Sequence, residues 1–144
     1  MLVVDTNILV YAANEDAEEH AAALAVLGRF RSARDPWHLT WGILYEFLRV
    51  TTHRRVLERP WTAHRAMAFV TALLDSPGLI LLTPTARHAS TLSDVIRDVP
   101  RMSGNLLFDC QTATLMREHG VRRILTHDAD FHRFPSIEVI DPLA

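Results

Sequence analysis

The first residues of the chain place a short apolar run directly before a carboxylate. Residues 2–4 are Leu-Val-Val, and the run ends at Asp5. Such a short, continuous run is typical of a buried strand in a parallel sheet. Thr6 or Asn7 can cap a following helix, so Asp5 is predicted at the junction of a strand and a helix. Open α/β folds bind ligands at this edge of the sheet, although an aspartate there can also serve only as a helix cap.

The same alternation of strands and helices continues along the chain. Further apolar runs predict strands over residues 37–40, 79–82, 122–126 and 137–140. Apolar residues spaced by three and four predict helices over residues 17–32, 41–52, 62–74, 84–97 and 105–119. Because strands that alternate with helices pair in parallel, we expect an α/β fold with helices on both faces of the sheet.

Composition limits what this fold can contain. The 144 residues, of which 49% are hydrophobic, are enough for one core, so we expect a single domain over residues 1–144. No apolar run approaches the roughly 20 residues of a membrane-spanning helix, and the basic flank of a signal peptide is missing. We therefore expect a cytoplasmic protein without membrane association. The one cysteine, Cys110, excludes an internal disulfide and a zinc site built from cysteines.

The charged residues are unusual in type. All 15 basic residues are arginine, while the formal net charge is −2. Codon bias in a GC-rich genome explains this, but arginine is also the better bidentate ligand for phosphate. If four of the 17 acidic residues bind a metal, the remaining 13 acids face 15 arginines, a balance of +2. The acidic total is therefore compatible with a polyanionic substrate.

Glu46 lies on the predicted third helix, away from its apolar side. The apolar stripe predicted for this helix consists of Trp41, Leu44, Tyr45 and Leu48. Glu46 is therefore either a surface residue paired with Arg49, three positions on, or a carboxylate that faces a site. Arg49, Arg54 and Arg55 form a local basic patch that could hold a phosphate backbone, although solvated charge runs are common.

Two more carboxylates are placed where a site could form. Asp109 lies on an apolar helix face, where an unpaired charge costs several kcal/mol unless a cation, a donor or a raised pKa compensates. The helix dipole is the alternative explanation, because Asp109 is near the start of its helix. Asp128 follows the strand over residues 122–126, just as Asp5 follows the first strand. Two strands that end in the same way indicate one shared pocket.

Carboxylates gathered at one point repel each other and cannot all ionise without compensation. A divalent cation that prefers oxygen ligands compensates this negative charge, and Mg²⁺ or Mn²⁺ suits such a site best. A metal of this kind lowers the pKa of a bound water and braces a phosphate oxygen. Asp5, Glu46, Asp109 and Asp128 therefore predict phosphodiester hydrolysis.

With these residues in place, the chain resembles a PIN domain. The motifs that carry the resemblance are Asp5-Thr6-Asn7, Glu46, Asp109, and the run Thr126-His127-Asp128-Ala129-Asp130-Phe131 with Phe134-Pro135. More closely, the chain resembles the VapC-type toxins of bacterial toxin-antitoxin pairs, over all 144 residues. The resemblance implies a three-layer α/β/α domain, a Mg²⁺- or Mn²⁺-dependent endoribonuclease, a homodimer, and a VapB-type antitoxin that covers the site.

The resemblance also assigns roles to individual residues. Asp5, Glu46, Asp109 and Asp128 match the acidic quartet of the family, which holds the metal. Asp130 matches a supporting acid, and Thr6 and Asn7 match polar positions that help to order the site. The stretch 108–113, Phe-Asp-Cys-Gln-Thr-Ala, departs from the family because it is bulkier and more polar than the small-residue helix usual there.

Other classes of protein share some of these sequence features. A dehalogenase-type phosphatase needs a second acid two residues after Asp5, where this chain has Asn7. A metal-free ribonuclease with paired histidines has no obvious lysine partner for His127 and His132. A housekeeping RNA-processing PIN nuclease and a catalytically inactive module that binds RNA or a partner remain open. The sequence carries no signature of the RNA target, because recognition of single-stranded loops leaves none.

Overall fold

The computed structural model describes residues 1–144. The five strands are β1 (Leu2–Val4), β2 (Trp37–Leu39), β3 (Leu79–Leu81), β4 (Arg123–Leu125) and β5 (Glu138–Ile140). The six α-helices are α1 (Thr6–Ala13), α2 (His20–Ser32), α3 (Trp41–Thr51), α4 (Ala63–Leu74), α5 (His88–Asp98) and α6 (Leu106–Glu118), and a 3₁₀ helix spans Ala129–Arg133. None of the helices combines the length and the apolar character that a membrane crossing requires.

The strands form one parallel sheet in the order β3-β2-β1-β4-β5. This confirms the predicted α/β class and its parallel sheet. From β1 the chain moves outward to β2 and β3, and it then returns across the sheet to β4 and β5. Because parallel crossovers are right-handed, this reversal places α1 to α4 and α5 to α6 on opposite faces, a three-layer arrangement. The carboxyl ends of β1 and β4 thus lie at a topological switch point, where open sheets bind ligands.

The core holds the central strands in place from both faces. Thirty buried apolar residues form one cluster, which includes Val3 and Val4 of β1 and Ile124 of β4. Phe47 of α3 and Phe131 of the 3₁₀ helix are fully buried in it. Since β1 and β4 are buried while the chain immediately after them is polar, the sheet carries polar side chains to one edge of a rigid core.

The apolar stripe predicted for α3 is wrong at Trp41 and Tyr45, although Leu44 is buried and Leu48 packs against the core. The buried residues of α3 are Ile43, Leu44, Phe47 and Thr51. Tyr45 and Trp41 remain 69% and 42% exposed, with their rings 6.4 Å apart. Leu44 belongs both to the predicted stripe and to the set of residues that are buried in the structure. The packing of α3 against α1, α4 and α6 determines which of the two faces is buried. Tyr45 therefore faces solvent beside Glu46 and is not part of the core.

The helix predicted to begin at Pro84 begins four residues later, at His88. The intervening loop is held by Glu118, at the end of α6. Its carboxylate accepts hydrogen bonds from the Thr85 amide at 2.9 Å and the Thr85 hydroxyl at 2.6 Å, and it lies 2.6 Å from His88 Nδ1. Burial alone would raise the pKa of Glu118, but these hydrogen bonds outweigh it and hold the pKa below its usual value. A buried carboxylate thus fixes the start of α5.

Candidate active site

Asp5 lies at the carboxyl end of β1, where it is almost fully buried. Its Oδ1 accepts a hydrogen bond from the Thr6 amide at 2.8 Å, so Asp5 itself caps α1. The predicted cap, Thr6 or Asn7, is therefore wrong. Capping is only part of its role in the structure, because Oδ2 accepts hydrogen bonds from Thr126 Oγ1 at 2.8 Å and Asn7 Nδ2 at 3.1 Å.

Thr126 joins the ends of the two central strands. Besides its bond to Asp5, its hydroxyl oxygen accepts hydrogen bonds from Asn7 Nδ2 at 2.9 Å and from the Asp128 amide at 3.0 Å. Asn7 in turn accepts from the His127 amide at 3.1 Å. Sequence reasoning assigned no role to Thr126. The signal available was its position directly after β4, two residues before Asp128, and the partner strand was needed to interpret it.

Glu46 reaches the same region from α3. Its Oε2 accepts a hydrogen bond from Thr6 Oγ1 at 3.2 Å, and this bond links α3 to the end of β1. Arg49 lies 4.0 Å from Glu46 Oε1, at the limit of an ion pair, and both side chains are largely exposed. An exposed pair at this distance contributes little. Glu46 is thus oriented by Thr6 more than by its helical neighbour.

Asp109, Asp128 and Asp130 form the other half of the cluster. One carboxylate oxygen from each lies within 4.8 Å of the others, and Asp109 and Asp128 are partly buried. The Asp130 amide donates to Asp128 Oδ1 at 2.9 Å, so the 3₁₀ helix positions both residues. Asp109 makes no such bond and enters from the first turn of α6.

Burial and mutual repulsion raise the pKa of two of these carboxyls. Burial raises the pKa of Asp5 from 3.8 to about 6, against the hydrogen bonds from Thr126 and Thr6, and the charges of Glu46 and Asp128 add to the rise. Burial likewise raises the pKa of Asp109 to about 7, with contributions from the neighbouring acids. The cluster therefore resists full ionisation unless a cation is present.

Two cavities meet at the acids. One, of about 390 Å³, lies between α3 and the start of α6, and the other, of about 340 Å³, lies along α1. Asp5, Glu46 and Asp109 line both cavities, while Asp128 lines the second. The structure thus brings all four predicted acids to one cleft. Of the predicted arginines, only Arg49 lines a cavity; Arg54 and Arg55 are exposed in the turn after α3 and line neither.

Comparison with known proteins agrees with this arrangement. The PIN domain family matches residues 2–137. The chain is also 33% identical to ribonuclease VapC37 of Mycobacterium tuberculosis over 144 residues, which are 100% of this chain and 99% of that protein. This chain is a PIN domain of the VapC family. The resemblance that the acidic motifs indicated is thereby confirmed.

Solved structures of PIN-domain toxins share the fold. The crystal structure of Mycobacterium tuberculosis VapC20, described as a toxin that cleaves the sarcin-ricin loop, superposes with a TM-score of 0.66 at 19% identity, covering 92% of this chain and 93% of that one. The VapBC2 structure from Rickettsia felis, bound to a DNA fragment from its promoter, gives 0.64 at 15% identity and covers 96% of both chains. At these identities the likeness concerns the fold.

The unusual stretch 108–113 divides its side chains between core and cleft in this PIN domain. Cys110 and Ala113 are buried in the core. Phe108 and Gln111, the bulky residues, are exposed and line the larger cavity. The extra volume therefore lies in the cleft beside Asp109, while the buried side chains of this stretch are small.

Proposed function

We propose that this chain is a metal-dependent endoribonuclease that acts as the toxin of a type II toxin-antitoxin pair. One observation carries the proposal: four carboxylates from four separate segments meet in one cleft, at the switch point of the sheet. The likeness to ribonuclease VapC37 over the whole chain supports RNA as the substrate. The reaction is hydrolysis of a phosphodiester bond.

In this proposal, Asp5, Glu46, Asp109 and Asp128 hold a divalent cation. The donor set fits one, because it consists of carboxylate oxygens, and because burial and the neighbouring acids disfavour the charged forms of Asp5 and Asp109, which a cation would stabilise. Oxygen-only sites favour Mg²⁺, with Mn²⁺ as an alternative. When bound, such a cation supplies Lewis-acid stabilisation of the phosphate.

The surrounding residues orient this donor set. Thr126 and Asn7 hold Asp5, so that its carboxylate keeps one orientation. Thr6 positions Glu46. Asp130 supports Asp128, because its amide fixes one oxygen of that carboxylate. We assign Arg49 to the phosphate backbone of the substrate, since its guanidinium lines the cleft and is only weakly paired.

A VapB-type antitoxin is the partner that the proposal implies. An arginine side chain from such a partner would complement the clustered carboxylates in place of the cation. The chain would act as a homodimer, as the VapC resemblance implies. Sedimentation of the purified chain, alone and with the product of an adjacent small gene, tests both assemblies: a monomer that binds no such partner contradicts them.

The direct test is cleavage of total RNA by the purified chain with Mg²⁺, with Mn²⁺ and with a chelator. We expect cleavage that requires the dication and that falls by about 10- to 100-fold or more in Asp5→Asn and Asp109→Asn, because loss of even an outer-shell partner of a metal site costs about 10- to 100-fold. Asp94→Asn on α5 is the matched control, because Asp94 is exposed and pairs only with Arg97. Cleavage that survives the chelator, or that both variants retain, would contradict the metal site.

The cleavage and sedimentation experiments together separate two other functions from this one. A housekeeping RNA-processing nuclease would show the same metal dependence but would bind no antitoxin. An inactive binding module would bind RNA or a protein without cleaving RNA under any of these conditions. The intact carboxylate cluster favours the nuclease over the module.

A further inference from the structure

The larger of the two cavities has walls that metal binding does not explain. Tyr45 and Arg49 of α3 and Phe108 and Gln111 of α6 line it, and we call it the aromatic cavity. At about 390 Å³ it lies in the size range of small-ligand sites. Because Asp5, Glu46 and Asp109 line it as well, it opens directly onto the acid cluster.

Its two aromatic rings are unusually exposed. Tyr45 is 69% and Phe108 66% exposed, so the rest of the chain leaves most of each side chain open to solvent. Exposing rings of this size to water forgoes the burial that stabilises aromatic side chains elsewhere. They come from different helices, yet both lie beside the acids. Such a pair, next to a reactive centre, is suited to contact a flat substrate group.

Polar groups complement the rings. The Gln111 amide lies against α3 at Gly42, where an added Cβ would stand 2.8 Å from Gln111 Oε1. The absence of a side chain at Gly42 therefore leaves the amide room in the cavity wall. Arg49 offers a guanidinium whose nearest carboxylate oxygen is 4.0 Å away. The cavity thus combines aromatic faces, an amide that both donates and accepts, and a cation.

We propose that the aromatic cavity holds one unstacked base of a single-stranded RNA, in the nucleotide next to the scissile phosphate. The base lies against Tyr45 and Phe108, its edge faces Gln111, and Arg49 faces the adjoining phosphate. This inference rests on the proposed ribonuclease function and names a substrate subsite for it. Proteins recognise splayed RNA bases in this way, through aromatic stacking and hydrogen bonds to the base edge.

The chemistry of the cavity favours RNA over an apolar occupant. A partner helix or a second copy of the chain would bury the rings, but it would also bury the carboxylates of Glu46 and Asp109, which costs free energy unless each is paired. A nucleotide covers the rings with its base. Its phosphate carries the negative charge toward Arg49 and the proposed cation.

The test measures binding of a short RNA whose bases are removed one position at a time. The protein carries Asp109→Asn to prevent cleavage, and binding is followed by fluorescence anisotropy. We expect one position at which base removal weakens binding roughly fivefold to 150-fold, the range for one stacked base. When Phe108→Ala or Tyr45→Ala is added to the Asp109→Asn protein, we expect intact RNA to bind more weakly. Removal of that same base should then change the affinity by less than about twofold.

Two further variants separate stacking from a structural effect. Phe108→Tyr keeps an aromatic face and should restore the sensitivity to base removal, whereas Phe108→Leu keeps apolar bulk and should not. Leu107→Ala is the matched control, because Leu107 is 45% exposed, neighbours Phe108 and does not line the cavity. Circular dichroism spectra that match the parent establish that each variant is folded.

The outcomes that contradict the subsite differ from those that contradict the nuclease. Unchanged RNA binding in both alanine variants would contradict the subsite. Metal-dependent cleavage by the wild-type chain would still support the proposed nuclease function. If Tyr45→Ala instead dissociates a dimer, or weakens only antitoxin binding, the surface belongs to a protein partner. Conversely, a base-sensitive cavity in a chain that never cleaves RNA would contradict the nuclease and keep the subsite. Absence of RNA binding by the parent contradicts both.

Discussion

Asp109 is held in the acid cluster at a cost to the stability of the metal-free protein. Burial and the neighbouring carboxylates raise its pKa, and no hydrogen bond from the chain supports its charged form. Asp5 differs, because three donors compensate part of its burial. The two acids therefore differ in how far the chain compensates their charge, and Asp109 is the one whose charge depends most on a cation.

Replacing Asp109 by asparagine should therefore stabilise the metal-free protein at neutral pH. Folding raises the pKa of Asp109 from 3.8 to about 7, so the folded state binds the proton more tightly than the unfolded state does. The destabilisation of the folded state by the Asp109 carboxylate is absent at low pH. It grows as the pH rises from 3.8 to about 7, and it is complete above that range. We expect Asp109→Asn to raise Tm by roughly 5 °C at pH ~8, with a difference that vanishes toward pH ~4.

Thermal unfolding across this pH range, with a chelator present, measures the effect. Asp94→Asn is the control and should differ from wild type by a similar small amount at every pH. Added Mg²⁺ should raise Tm of the wild type and leave Asp109→Asn nearly unchanged. A variant that is less stable than wild type at neutral pH would show that Asp109 is already compensated within the chain.

The turn before β3 depends on close approach of two backbone segments. A Cβ added at Gly78 would lie 2.3 Å from the Asp35 carbonyl oxygen, and the Gly78 carbonyl accepts the Trp37 amide at 3.1 Å. The segments that lead into β2 and β3 are therefore in direct contact through a residue without a side chain. Gly28, inside α2, has open space around it.

These two glycines should respond to alanine in opposite ways. Gly78→Ala forces the backbone segments apart and should lower the free energy of unfolding by ~3 kcal/mol. Gly28→Ala replaces the poorest helix former other than proline and should raise it by about 1 kcal/mol. Urea denaturation of both variants against wild type measures the changes. A neutral Gly78→Ala would mean that the turn relaxes freely, which the packing of β2 and β3 argues against.

The three arginines that were predicted to contact RNA lie in two different parts of the molecule. Arg49 lines the aromatic cavity, whereas Arg54 and Arg55 lie in the exposed turn that follows α3. All three were predicted to contact RNA, and the structure places only Arg49 in the cleft. The role of Arg54 and Arg55 stays a prediction, in which they contact the backbone beyond the cleft through charge alone.

A salt titration of RNA binding tests that role. Each phosphate contact to single-stranded RNA adds about 0.7 to the slope of log affinity against log salt. We expect Arg54→Ala with Arg55→Ala to reduce the slope by about 1.4 and to weaken binding of all sequences equally. Arg31→Ala together with Arg34→Ala, which changes two arginines away from both cavities, is the matched control. An unchanged slope would remove the two arginines from the RNA interface.

The arrangement of the acids was largely predictable, because it follows from strand direction. The carboxyl ends of neighbouring parallel strands meet at one edge of a sheet, so Asp5, directly after β1, and Asp128, three residues after β4, had to lie close together. Glu46 and Asp109 were predicted to join them from helices, and the structure places both in the same cleft. The single-domain expectation for residues 1–144 stays a prediction, as do the metal roles of the four acids.

Periodicity determined which segments of this chain are helices and strands, because local spacing of apolar residues reflects burial along one element. It did not determine which face of α3 is buried, where α5 begins, or which hydroxyl orients Asp5. Those features depend on contacts between distant segments: helix packing exposed Tyr45, Glu118 held Thr85 out of α5, and Thr126 reached Asp5 across 121 positions. Only the tertiary structure brings such partners together, because no local pattern encodes a neighbour from another element.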